Sequence, residues 1–203
     1  MTKTKLNALL ATTAVLALAA CGGSGDGTAA NPTQNAPFDE TYLSGATVIN
    51  QFNDNLTTPS AMPTGSATYE GAVLINSGAL SLPAFNSPFY NSSFENAKNT
   101  ADIVGKVNLN ANFDNNSLTG SITNVSSNVG QNASGSVSIA GGVITGSTVT
   151  ASLGGSLSVP GASGSVTGSM EARFHGVNGE AIIGTLSGSA GGDRFSGIVA
   201  AKQ

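Results

Sequence analysis

The chain has 203 residues with seven basic and eleven acidic side chains, a net charge of −4, and only 9% charged residues in total. It holds 27 Gly, one Cys and no Trp, with Ser, Thr and Asn abundant. An acidic chain repels phosphates and so excludes a nucleic-acid partner, a lone Cys excludes an internal disulfide, and a surface of hydroxyls and amides suits an exposed β protein while giving helices little support.

Residues 1–20 carry Lys3 and Lys5, then an apolar run from Leu6 to Ala20. A basic start, a short apolar stretch and small residues at its end predict a secretory signal, too short to span the ~30 Å of membrane hydrocarbon. The tetrad Leu18-Ala19-Ala20-Cys21 resembles the bacterial lipobox, which implies that Cys21 is acylated and begins the mature protein. Acylation also removes a thiol that an oxidising compartment would attack. Two or more acyl chains hold a protein on a bilayer firmly, at about 0.8 kcal/mol per buried CH₂. Gly22 stands where Asp would favour inner-membrane retention, so the resemblance implies the outer membrane.

Without its leader the chain has 183 residues, five of them basic and eleven acidic, which is net −6 and enough for one domain. Residues 21–42 read as a flexible tether, since Gly, Ser, Asp, Thr, Ala, Asn and Pro leave almost nothing to bury; twenty such residues reach ~25 Å. Within a lead-in over 43–66, Ser44 is placed to cap a short helix whose Val48, Ile49, Phe52 and Leu56 share one face, ended by Thr57, Thr58 and Pro59. Its expected role is to plug or brace one end of the following domain.

Residues 67–203 supply eight strand candidates: Ala67 to Asn76, Thr100 to Phe113, Ser117 to Val125, Ala133 to Ala140, Val143 to Leu153, Gly164 to His175, Glu180 to Ser189 and Arg194 to Ala201. Val107, Leu109, Ala111 and Phe113 alternate with polar residues, and Asp114 to Asn116 turns that run back into Leu118, Gly120 and Ile122. Val166, Gly168, Met170, Ala172 and Phe174 alternate with Thr167, Ser169, Glu171, Arg173 and His175, predicting one core face and one facing water. Faces match across the next hairpin if Val177, Asn178 and Gly179 form the loop, with Gly179 left-handed, Phe174 opposite Ile182 and Met170 opposite Leu186. The last strand turns Phe195, Gly197, Val199 and Ala201 inward. Gly-Ser pairs recur, at 120, 135, 146, 155 and 164 among other positions, too unevenly for a solenoid, and in-strand glycines mark tight curvature. The fold predicted is all-β: a small soluble eight-stranded antiparallel barrel, without free edges, preceded by a short helix. A membrane-spanning barrel is disfavoured because one strand face carries Asn, Ser, Lys, Glu and Arg instead of an apolar band.

The run from Phe174 to Gly188, FHGVNGEAIIGTLSG, followed by RFSGIVAAK from Arg194 to Lys202, resembles the end of the eight-stranded barrel domain of transferrin-binding protein B and its relatives. ATYEGAVLI (67–75) and GKVNLNANFDNNSLTGSITN (105–124) are similar to its opening strand and second hairpin. His175 stands where that family usually has Tyr, and Val177 where Pro is common. The resemblance implies a cell-surface lipoprotein of the outer membrane that captures an extracellular protein or another iron source through loops and hands it to an outer-membrane receptor. It implies no cofactor and no catalysis, and the expected state is a monomer.

Residues able to carry chemistry are few. His175 is the only His, with no second ligand at metal spacing and no Ser-His-Asp arrangement, and no nucleophile-elbow, phosphate-loop or zincin pattern occurs. Gly25 to Ala30 imitates a dinucleotide fingerprint but lies in the tether. His175 reads as a solvent-facing strand residue, with a haem ligand or pH-sensitive contact as its functional alternative. The 23-residue connection 77–99 is longer than compact domains usually hold and contains Phe85, Phe89, Tyr90 and Phe94. These rings either complete the core at the barrel end or, stiffened by Pro83 and Pro88, anchor an interface. Three functions remain: a surface-tethered binding module, a small-ligand carrier of haem type using the barrel mouth, and an envelope or adhesin-like protein without a specific ligand.

Overall fold

A computed structural model describes residues 36–52, 57–77, 101–128, 133–159 and 162–203. The period-two stretches become β1 (Ser66–Ser77), β2 (Ile103–Asn112), β3 (Ser117–Ser127), β4 (Ser134–Thr145), β5 (Thr148–Val159), β6 (Ala162–His175), β7 (Ala181–Ala190) and β8 (Asp193–Lys202). Each pairs antiparallel with the next, and β8 returns to pair with β1, closing the barrel. Closure satisfies the backbone donors and acceptors that an open sheet would leave along two edges.

Alternation decides which side chains fill the cylinder. Tyr69, Val73, Val107, Leu109, Leu118, Ile122, Val137, Ile139, Leu153, Met170, Phe174, Ile182, Leu186 and Val199 are among the buried residues of one interior cluster drawn from all eight strands. The expected pairs Phe174 with Ile182 and Met170 with Leu186 are present. Gly179 has φ 70°, and the backbone link from Gly179 N to Gly176 O, 3.3 Å, closes the turn. On β3 to β6 the opposite positions, Thr119, Ser138, Ser152, Ser156, Ser165 and Thr167 among them, are exposed hydroxyls. Such a wall faces water, because a lipid-facing strand would present an apolar band there.

Three boundaries around the fifth strand differ from expectation: β4 runs on to Thr145, β5 begins at Thr148, and it ends at Val159 rather than Leu153. Val143, Ile144 and Thr145 belong to β4, not to the start of the fifth strand, and the hairpin turns at Gly146-Ser147 between the paired residues Thr145 and Thr148. Gly146 has φ 56°, which suits the first central position of a two-residue hairpin loop. The Gly141-Gly142 pair, which looks like the break between strands, is a bulge instead. Two β4 residues face one residue of β5 there, and pairing resumes beyond.

The helix also differs. α1 spans Ala36–Phe52, so residues 36–42, read as tether, are helical, and Ser44 lies inside the helix rather than at its cap. The Ser44 hydroxyl donates to the Thr41 carbonyl at 2.7 Å and Thr47 to Leu43 at 2.8 Å, bonds made within the helix. Asp39 in the first turn complements the helix dipole. Leu56, expected on the apolar face, lies outside the described residues.

α1 does not plug a barrel end. Phe38, Tyr42, Ala46, Val48, Ile49 and Phe52 form a stripe that packs against Leu74, Ala101, Val104, Ala181, Ile183, Ile198 and Ala200. Those wall residues alternate with inward ones, so the helix covers the outer side of β1, β2, β7 and β8. This second core excludes water from strands that alternation alone assigns to a wet face. The physical reason is compositional: Ala72 to Ile75, Ala181 to Ile183 and Ile198 to Ala201 are continuous apolar runs, and such runs demand burial on both faces.

Candidate binding surfaces

The meander places the connections β1–β2, β3–β4, β5–β6 and β7–β8 at one end of the barrel and the chain start of β1, the remaining turns and the C-terminus at the other. At the second end an aromatic cluster closes the interior. Phe174 lies 5.7 Å from Tyr69 and 5.3 Å from Phe113, centroid to centroid, both tilted by 58°. The Tyr69 hydroxyl donates to the Gly179 carbonyl at 2.7 Å and accepts from the Gln203 side-chain amide at 2.9 Å. Burial pushes this phenol above its ordinary pKa of 10.0; the Gln203 hydrogen bond pulls it down, and the nearby Glu180 charge pushes it up. Glu180 itself is lowered, chiefly by hydrogen bonds to its carboxylate from its own backbone and from Asn178, whose N and Nδ2 each lie 3.0 Å from it.

The first end carries the long connection. Its root is ordered by backbone bonds: Asp102 N to Ile75 O at 3.0 Å, Asn128 N to Asp102 O at 3.1 Å, and the Asn128 side chain to Ala101 O at 2.7 Å. Phe85, Phe89, Tyr90 and Phe94 lie outside the described residues, as does Cys21.

His175 is not solvent-facing. It is 3% exposed and sits directly opposite Ala181, a residue of the helix-covered wall, whereas its neighbour Phe174 points into the barrel. The imidazole therefore lies on the outer side of the wall. Of its companions on the outward register, Glu171 is exposed and Arg173 half-buried.

A groove of about 480 Å³, which no sequence motif marks, runs along the seam between α1 and the wall of β1 to β3 and β8. Lys106 and Lys202 line it with Glu70, Asn108 and Thr47. Adjoining it, Thr68, Asn110, Asn108 and Glu70 form a chain of side-chain hydrogen bonds 3.0 to 3.3 Å long. The legible signal lay in the outward positions of β1 and β2, where Glu70, Lys106 and Asn108 alternate with core residues. Only docking of α1 makes that face concave. Among the described residues no three His, Cys, Asp or Glu side chains converge on a metal position, and no helix is long and apolar enough to cross a membrane.

These features define a lobe-type barrel: a cylinder filled by its own side chains, a helix-clad wall, and loops gathered at one end. The chain belongs to the family of the C-lobe and N-lobe beta barrels of Tf-binding protein B, whose model matches residues 62–203. Among solved structures it resembles the intact Ap-TbpB with N and C lobes, 14% identical with TM-score 0.41, over 70% of this chain and 27% of that one. It also resembles transferrin binding protein B of serogroup B Neisseria meningitidis, 10% identical with TM-score 0.42, over 71% and 28%. A third is the N-lobe of lactoferrin binding protein B from Moraxella bovis, 14% identical with TM-score 0.36, over 70% and 61%. The chain thus spans about a quarter of the two-lobed proteins. Comparison with curated proteins returned no match.

Proposed function

We propose that the protein is a non-catalytic binding module, held on the outer membrane by lipid on Cys21 and exposed at the cell surface, which captures an extracellular iron-source protein and passes it to a membrane receptor. Membership in the family of Tf-binding protein B barrels carries this reading. The packed interior supports it, since Tyr69, Phe113 and Phe174 occupy the space that a lumenal ligand at that end would need. Binding then falls to the outside, and the sequence between β1 and β2 contains Phe85, Phe89, Tyr90 and Phe94, large rigid rings of the kind that bury area at an interface at small entropic cost. The haem-carrier alternative through His175 is weaker, because that ring lies on the outer side of the wall, away from the barrel mouth, and is buried.

The test uses intact cells expressing the full chain, incubated with transferrin, lactoferrin or haemoglobin and washed. Retention of one of them, abolished by Cys21→Ala and by combined alanine replacement of Phe85, Phe89, Tyr90 and Phe94 with melting unchanged, is expected. A large fall in melting temperature of the quadruple variant would instead make the rings core. No retention of any iron-source protein by a folded, surface-exposed barrel would favour the structural, ligandless function.

A further inference from the structure

Only five basic residues follow the leader in this acidic chain, and two of them, Lys106 and Lys202, line the seam groove. Neither is consumed by a carboxylate there. Lys202 Nζ donates to the neutral Gln51 side-chain oxygen at 3.0 Å, and among the described residues the Lys106 side chain makes no hydrogen bond or ion pair. Glu70, the groove's one carboxylate, lies opposite Asn108 on one side and Lys202 on the other, and accepts the Asn108 amide at 3.2 Å.

This set of groups is selective. Two ammonium groups in a concave, partly desolvated seam attract an anion, and low-dielectric walls strengthen that attraction. A bare phosphate gains from both lysines but meets the Glu70 carboxylate. A ligand that combines a carboxylate with neighbouring hydroxyls satisfies every group: its anion takes the lysines, and its hydroxyls donate to Glu70 and to the Thr47 hydroxyl oxygen and accept from the second N–H of Asn108. The volume is in the range of small-ligand sites, ~300–1,000 Å³, and holds a saccharide of a ring or two. We propose that the seam between α1 and the barrel binds an acidic saccharide, a sugar bearing a carboxylate, at a site separate from the loop-bearing end.

The test is titration of the ¹⁵N-labelled full chain with glucuronate and with N-acetylneuraminate. One of them shifts the amide signals around Thr47, Lys106, Asn108 and Lys202 saturably, with a Kd on the order of 1 mM for so open a site. Loss of a charge-assisted hydrogen bond weakens binding by about tenfold or more, so the methyl ester of the binding sugar and the Lys106→Ala variant both fall by that factor. Lys106 is exposed, and its replacement leaves the melting temperature unchanged. Arg194→Ala removes the same charge at the opposite end of β8 and binds as the parent does. The proposal is overturned if neither sugar gives a saturable shift, if Lys106→Ala binds like the parent, or if Arg194→Ala is equally impaired, which would reduce the effect to net charge. Equal or tighter binding of inorganic phosphate or of tetraglutamate also overturns it, assigning the groove to simple anions or to acidic peptides.

Discussion

Phe38→Ala tests whether α1 is part of the folded domain or a passenger on its surface. Phe38 is fully buried and belongs to the cluster that joins the helix to Leu74, Val104, Ile183, Ile198 and Ala200. Removing a buried phenyl costs about 3–5 kcal/mol through lost transfer energy and the cavity left behind. For a domain of this size about 1 kcal/mol moves the melting temperature by ~2–4 °C, so the full cost is a drop of roughly 6–20 °C. The barrel interior is a separate cluster, and the helix can therefore leave the wall before the barrel melts. In that case the cost emerges as local opening: faster protease cleavage in the partly exposed 57–65 segment and greater dye binding as the outer wall is uncovered. Leu43→Ala on the same helix is the control, since Leu43 is 58% exposed and its truncation costs within about 0.5 kcal/mol. Thermal melts and timed proteolysis of both variants decide the matter. If Phe38→Ala melts and is cleaved like Leu43→Ala, the helix is not docked, and with it the groove and the second core disappear.

Tyr69→Phe removes the donor to Gly179 and the acceptor of Gln203, costing about 1–3 kcal/mol by chemical denaturation. Because the folded phenol titrates above its unfolded value of 10.0, the stability it contributes is complete below that value and is lost as pH rises through the raised folded pKa. The phenylalanine variant should lose that alkaline component, and an unaltered alkaline profile would contradict the assignment. Glu180 behaves oppositely: its folded pKa lies below 4.5, so its contribution is present above that value and disappears as pH falls through the folded one. Glu180→Gln should flatten the acid limb of the melting profile, and retention of the full limb would show that the carboxylate contributes nothing there. Gly184→Ala places a methyl against Ala172 Cβ and the Glu171 carbonyl on the paired strand, so melting should fall by several degrees; a variant as stable as the parent would show that β6 and β7 are free to move apart.

Alternation alone carried much of the architecture. Where one face of a strand is polar, as in Val107 to Phe113 or Val166 to Phe174, a slip of one residue would put Asn or Ser into the core, so register is legible without coordinates. The Phe174–Ile182 pairing followed from that argument. It failed at Gly141-Gly142, because a Gly pair serves a bulge as well as a turn, and what selects between them is pairing with strands on both sides.

The amino-acid order by itself determined that this chain forms strands, how many, and which residues face inward. Only the tertiary structure decided which outward positions are dry. Leu74, Val104, Ile183, Ile198 and Ala200 are outward apolar positions of β1, β2, β7 and β8 without a periodic partner nearby in sequence, and their partner is a helix that precedes the barrel. Tertiary packing also buries His175, and docking of α1 turns Lys106, Lys202 and Glu70 from scattered surface charges into one groove. Burial and concavity depend on what packs across a surface, and contacts between distant segments are invisible to a local pattern.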